Sequence, residues 1–130
     1  MSQSVAQSPV VSFDRTPISM PASITAWVLQ VVLALVFAAA GTAKLAGAEQ
    51  MVVNFEQLGF GQWFRVLTGT LEVAGAVGLL IPRTTYYAAL LLATVMAGAV
   101  FSHVLITGGS PLPALVLLAL CGLVAFLRRP

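Results

Sequence analysis

Charge is what this chain has least of. Its 130 residues include six Lys or Arg, four Asp or Glu and one His, so 8% of the chain is charged, against about 25% in an ordinary soluble domain. So few ions cannot cover a water-facing surface. The 59% of residues that are hydrophobic stand in long blocks rather than at the spacing of a one-sided helix. A net charge of +2, carried by basic residues scattered along the chain, forms no patch able to neutralise a run of phosphates, which excludes nucleic acid as the partner. Cysteine is nearly absent as well. Cys121 stands alone in the last apolar block, has no second thiol for a disulfide or a dithiol pair, and reads as a small buried hydrophobe. There is no Gly-rich phosphate loop, no Gly-x-Ser-x-Gly elbow and no paired nucleophile and base. His103 has no second His or acidic residue at helical spacing, so no metal is expected.

What is present is a series of apolar blocks, at residues 24–45, 64–81, 84–106 and 111–127. Each is near the ~20 residues that a helix needs to cross ~30 Å of hydrocarbon. Their ends follow from backbone chemistry. Pro82 stops the second block, Gly108 and Gly109 end the third, and Pro111 and Pro113 open the fourth, where a missing N–H costs little. The fold expected is an all-α membrane protein, a four-transmembrane-helix bundle with a short amphipathic interfacial helix between helices one and two. That interfacial segment, residues 47–63, mixes Glu49, Asn54, Glu56 and Gln57 with Met51, Val52, Phe55 and Leu58, and is closed by a turn at Gly59 and Gly61.

Residues 1–23, rich in Ser, Gln and Pro with only Asp14 and Arg15 as charges, are read as a flexible cytoplasmic tail. Residues 24–127 form one transmembrane domain and 128–130 a basic cytoplasmic end. A cleavable leader is the competing reading of the first block, but that block is too long and the stretch before it barely basic. Four crossings put Arg15, Arg83, Arg128 and Arg129 on one side, against Lys44 and Arg65 offset by Glu49 and Glu56 on the other. The positive-inside rule then places both termini in the cytoplasm of a multi-pass protein of the inner (plasma) membrane. Small residues four apart, Ala34, Ala38 and Thr42 on the first span and Thr94, Gly98 and Ser102 on the third, read as close-packing stripes between helices.

Four ionisable side chains fall in or at the edge of these spans: Lys44, Arg65, Glu72 and His103. Each costs roughly 2.5–3.5 kcal/mol to insert, which makes them functional candidates. Counting along the helices puts Glu72 ~12 Å and His103 ~5 Å below the outer surface, with Lys44 and Arg65 at that surface. All four share the outer half of the bilayer. A ligand-binding pocket between the first three spans is therefore expected, with Glu72, Lys44, His103 and Arg65 as candidates, roofed by the amphipathic segment with Trp63. A carboxylate alone in hydrocarbon takes up a proton, whereas a neighbouring cation keeps it charged, so the state of Glu72 depends on its partner. Its alternative role is an ion pair with Lys44 that locks helices one and two. For His103 the alternatives are a hydrogen-bonded packing group, a proton shuttle or a ligand contact; for Arg65, an interfacial anchor.

Gly41-Thr42-Ala43-Lys44-Leu45, Leu58-Gly59-Phe60, Gly69-x-x-Glu72-x-x-Gly75, Gly78-Leu79-Leu80-Ile81-Pro82 and finally His103, in that order and spacing, resemble the DoxX-like membrane proteins over about residues 24–127. The resemblance implies a four-helix membrane bundle. It also implies a setting in membrane redox chemistry, since relatives include a membrane subunit of a thiosulfate:quinone oxidoreductase, proteins of quinone, catechol or thiol stress, and distant receptor-assembly chaperones. It carries over Lys44, Glu72 and His103 as a shared polar constellation; the single Cys gives no support to a thiol redox activity of this chain alone. Two functions are expected. In one, the bundle binds a hydrophobic small molecule such as a quinone or lipid in its outer-leaflet pocket. In the other, it is a non-enzymatic accessory or assembly subunit of a larger membrane complex, with self-association as a further arrangement, and the polar residues fix packing alone.

Overall fold

The computed structural model describes residues 20–130, with side chains from residue 22. The tail expected over residues 1–23 lies, up to residue 19, outside the described residues. Helix α1 spans Met20–Ala46 and so begins four positions before the first apolar block; Pro21 suits a first helical turn, whose N–H groups have no partner inside the helix. Helix α2, Glu49–Leu58, follows at once. It ends at Gly59, which takes the left-handed conformation (φ 80°) and donates its N–H to the Glu56 carbonyl, a conformation that a side chain disfavours. Helix α3 covers Gln62–Leu80 and α4 Thr85–Ser102. The last turn of that third apolar block is a π-helical segment, His103–Thr107, which the sequence reading did not anticipate. Helix α5, Leu112–Arg128, closes the chain.

All regular structure among the described residues is helical. Three helical stretches, Ala22–Ala46, Gln62–Leu80 and Thr85–Thr107, are long and apolar enough to cross a membrane; Leu112–Arg128 is apolar but shorter. α1 packs chiefly on α3 and α4 on α5, while α3 meets α4 and α1 meets α5, so the four helices form a closed ring. Neighbours run antiparallel: Arg65, near the start of α3, reaches the Lys44 carbonyl near the end of α1. α2 lies against α3 and the π segment.

Side-chain placement is inverted relative to a water-soluble bundle. Large apolar residues such as Leu35 (68% exposed), Val28, Leu112 and Phe126 face outward, while the interior takes Gln30, Glu72 and Thr85 along with Leu33, Phe37, Leu79 and Leu92. That arrangement suits a lipid solvent, in which an apolar exterior costs nothing and polar groups must find partners inside. Cys121 is fully buried in this core. Where the interior is tightest it is built on glycine. A Cβ at Gly41 would stand 2.7 Å from Val73 Cγ2 and 2.8 Å from the Gly69 carbonyl oxygen, so α1 and α3 touch backbone to backbone. Of the first-span stripe, Ala34 is in the core and Ala38 packs against it, whereas Thr42 is exposed.

The end of the ring that carries Arg83 and Arg128 is tied by one buried amide. Gln30 donates from Nε2 to the Leu79 carbonyl (2.7 Å) and to Thr85 Oγ1 (3.4 Å), and its Oε1 accepts from Arg128 Nε (2.7 Å). Arg128 also lies over the Trp27 ring, 5.5 Å from its centroid. One side chain of α1 thereby holds the end of α3, the start of α4 and the end of α5. Gln30→Leu keeps the volume but strands the Arg128 guanidinium and leaves the Leu79 carbonyl with the Thr85 hydroxyl alone (3.1 Å). The expected loss is ~1–3 kcal/mol, read as a lower midpoint of thermal unfolding in detergent; Gln30→Glu keeps the acceptor for Arg128 but sets a carboxylate oxygen against the Leu79 carbonyl oxygen, so it is expected to recover only part of that loss.

Candidate functional site

At the opposite end of the ring, α1 and α3 carry the same short pattern, a glycine followed three residues later by an ionisable group: Gly41 then Lys44, Gly69 then Glu72. Three residues is close to one helical turn, so each charge sits one turn from the place where the backbones touch. The close crossing brings the two side chains together. Lys44 Nζ lies 3.0 Å from Glu72 Oε1 and 3.1 Å from Oε2, and the side chains are 13% and 1% exposed. A carboxylate so fully removed from solvent is stable as an ion only because the ammonium and its hydrogen bonds accompany it.

The pair forms the floor of a cavity of about 390 Å³, within the ~300–1,000 Å³ range of small-molecule sites. Lys44 and Glu72 line it, and so does His103 from the π segment. Three of the expected site residues are thus on one surface, contributed by three elements. α2 supplies Met51, Asn54, Phe55 and Leu58 to the wall. His103 does not bond to the ion pair; its Nδ1 is 3.0 Å from the Gly108 carbonyl oxygen, which anchors the ring to the turn that ends the π segment.

Arg65 and Trp63 are elsewhere. The Arg65 guanidinium donates to the Lys44 carbonyl and its Nε to Gln62 Oε1 (2.8 Å), while Gln62 Nε2 donates to the Val52 carbonyl (3.1 Å). This chain of bonds fastens the start of α3 to the end of α1 and to α2. It supports the cavity from behind and does not line it. Trp63 is 64% exposed and stacks edge-on against Phe64; Phe64, one residue on, lines the cavity in its place. The cause is helical phase, since a step of one residue turns a side chain by about 100°.

Hydroxyl groups are what the sequence reading missed. Thr68, Thr94, Ser102 and Thr107 all line the cavity. Thr68 stands four residues before Glu72, on the same helix face, and that spacing was the available signal. Thr94 and Ser102 belong, with Gly98, to the stripe expected to be a packing surface on the third span. The stripe faces the cavity instead, and nothing lies within 4 Å of a Cβ built on Gly98. Small residues four apart mark a face where something approaches closely, and here the face meets open space. Among the described residues no three His, Cys, Asp or Glu side chains gather, so the polar chemistry of the site is that of an ion pair, an imidazole and hydroxyls.

The model of the DoxX-like family matches the chain over residues 28–127. No curated protein and no solved structure matches it.

Proposed function

The chain belongs to the DoxX-like family, and from that membership and the cavity we propose that this integral membrane protein binds a hydrophobic small molecule with a polar head, a quinone or a lipid, in a pocket opening in the outer leaflet. α1, α3, α4 with its π segment, and α5 are then the four transmembrane helices. α5, with 17 residues, reaches ~26 Å, a mismatch that local thinning of the bilayer accommodates. α2 lies in the outer interface. The end with Arg83, Arg128 and Arg129 faces the cytoplasm, as the positive-inside rule requires, and the membrane is the inner (plasma) membrane.

The observation that carries this reading is that Lys44, Glu72 and His103, from three separate elements, line one cavity of about 390 Å³ whose other walls are mostly apolar. A head group meets the polar groups at the floor, and a tail leaves along apolar wall. No residue is assigned a catalytic step; the arrangement binds and positions.

The test is binding of a decyl-tailed benzoquinone, in its oxidised and reduced forms, to the purified protein in detergent, followed by calorimetry. Gly98→Leu puts a side chain where there is open space and is expected to abolish binding with no loss of thermal stability. Glu72→Gln is expected to weaken it by about 10-fold, one hydrogen bond to a charged group. Unchanged affinity in both variants, with intact melting behaviour, rejects the pocket.

A further inference from the structure

The hydroxyls around the cavity are all oriented the same way by their neighbours. Thr68 Oγ1 lies 2.8 Å from the Phe64 carbonyl oxygen, Thr94 Oγ1 2.9 Å from that of Leu90, and Ser102 Oγ 2.9 Å from that of Gly98. Thr107 Oγ1 is 3.3 Å from the Ser102 carbonyl oxygen. A carbonyl oxygen only accepts, so in each contact the hydroxyl must be the donor and its single hydrogen is spent on the backbone. What remains for an occupant is the oxygen's lone pairs. The same logic fixes His103: with Nδ1 donating to the Gly108 carbonyl, the neutral ring offers Nε2 as an acceptor. Glu72 contributes carboxylate oxygens. Donors are fewer. Lys44 gives two of its three ammonium N–H groups to the oxygens of Glu72 and keeps one, and Asn54, whose Oδ1 accepts from Gln50 Nε2 (3.0 Å), has its amide N–H groups left.

From this inventory we infer that the cavity selects a head group that donates hydrogen bonds, an amphiphile with a hydroxyl and foremost a phenolic one, over the matching ether or carbonyl compound. The inference rests on the pocket proposed above and names its ligand class. A hydroxyl gives its hydrogen to the lone pairs that line the wall and still accepts from Asn54. An ether or quinone oxygen only accepts, leaving those lone pairs unmatched unless a wall hydroxyl abandons its backbone bond. The flanking Phe55 and Phe64 rings favour an aromatic head through edge-to-face contact. The reduced form of a quinone couple carries such hydroxyls and the oxidised form does not, so the site holds the quinol in preference.

The experiment compares 4-decylphenol, 4-decylanisole and 1-decanol for binding to the purified full chain in detergent by calorimetry, with three proteins: the unaltered one, Thr94→Val/Ser102→Ala, and Gly98→Leu. 4-Decylphenol is expected to bind about 10-fold more tightly than the anisole, which is the worth of one hydrogen bond. The double variant, whose residues are on the cavity face and carry no core packing, is expected to bring the phenol down to the level of the anisole and leave the anisole unchanged. Decanol as tight as the phenol assigns the selection to an aliphatic hydroxyl of lipid type and overturns the preference for a phenol. An anisole as tight as the phenol, or a double variant that weakens both alike, overturns the inference while the pocket stands, provided Gly98→Leu abolishes both. If Gly98→Leu changes neither, the pocket itself falls and the inference with it.

Discussion

Lys44→Met is expected to cost this protein about 3–5 kcal/mol of stability, the usual consequence of removing one member of a buried ion pair. The Lys44→Met/Glu72→Leu double variant is expected to recover most of that loss. The asymmetry comes from what each change leaves behind. With Lys44 gone, Glu72, 1% exposed at 3.0 Å from where the ammonium stood, is a polar group in an apolar interior with nothing to donate to it. With both gone, apolar side chains of similar volume fill the space and no desolvated charge remains. Thermal unfolding in detergent of the two single variants and the double one, taken as a cycle, reads the coupling directly. A double variant as unstable as Lys44→Met would show that the damage is lost packing and not an orphaned carboxylate. The stable double variant has a further use, since it keeps the bundle while stripping the floor of the cavity of charge: ligand affinity measured on it separates a site that needs the ion pair from one that needs only the cavity.

Gly41→Val is expected to be about as damaging, and for a reason that reaches the same pair. Even the first atom of a new side chain would lie 2.8 Å from the Gly69 carbonyl oxygen and 3.1 Å from the Val73 backbone nitrogen. Backbone cannot swing aside as a side-chain end can, so α1 and α3 must separate. Overpacking of this kind costs ~1–3 kcal/mol or more. Because Gly41 is one turn from Lys44 and Gly69 one turn from Glu72, separation at the crossing also lengthens the ion pair, and the two losses add. Gly75 is a useful contrast. The atoms nearest its added Cβ are Leu92 side-chain atoms, the closest at 2.6 Å, so Leu92, fully buried, must repack but no backbone need move, and Gly75→Ala is expected to cost less than Gly41→Ala. Gly98→Ala, with nothing within 4 Å, is expected to be neutral or to stabilise by about 1 kcal/mol through helix propensity. If the order of melting points is not Gly98→Ala above Gly75→Ala above Gly41→Ala, the backbone contact is not what sets the spacing of α1 and α3.

Much of the helical layout was legible because lipid is an undemanding solvent to read. Apolar blocks of the right length, interrupted by Pro82, by Gly108 with Gly109 and by Pro111, left few choices, and the helices fall within a few residues of the expected limits. The α2 helix and its Gly59 stop were equally readable, since a mixed segment closed by two glycines has one simple solution. Lys44 and Glu72 stood out because ionisable groups are rare and costly among such residues. Gln30 did not stand out. An uncharged amide in an apolar helix carries no mark of which backbone it will meet, and its partners lie on three other helices. The π segment was hidden for a related reason: its residues, His103–Thr107, have no local preference that distinguishes one turn of π from one turn of α.

By itself the sequence determined that this chain lives in lipid, where its helices begin and end, and which side chains are too polar to be there without purpose, because those properties depend on composition and on near neighbours in the chain. Only the tertiary structure decided that Thr94, Gly98 and Ser102 line a cavity and do not seal a helix contact, that Arg65 braces the site from behind, and that Phe64 faces the cavity where Trp63 does not. Each of these depends on the rotation of one helix against another, which is set by side chains far apart in sequence meeting at a shared surface. A pattern of small residues records that something comes close and leaves open whether it is a neighbouring helix or a ligand.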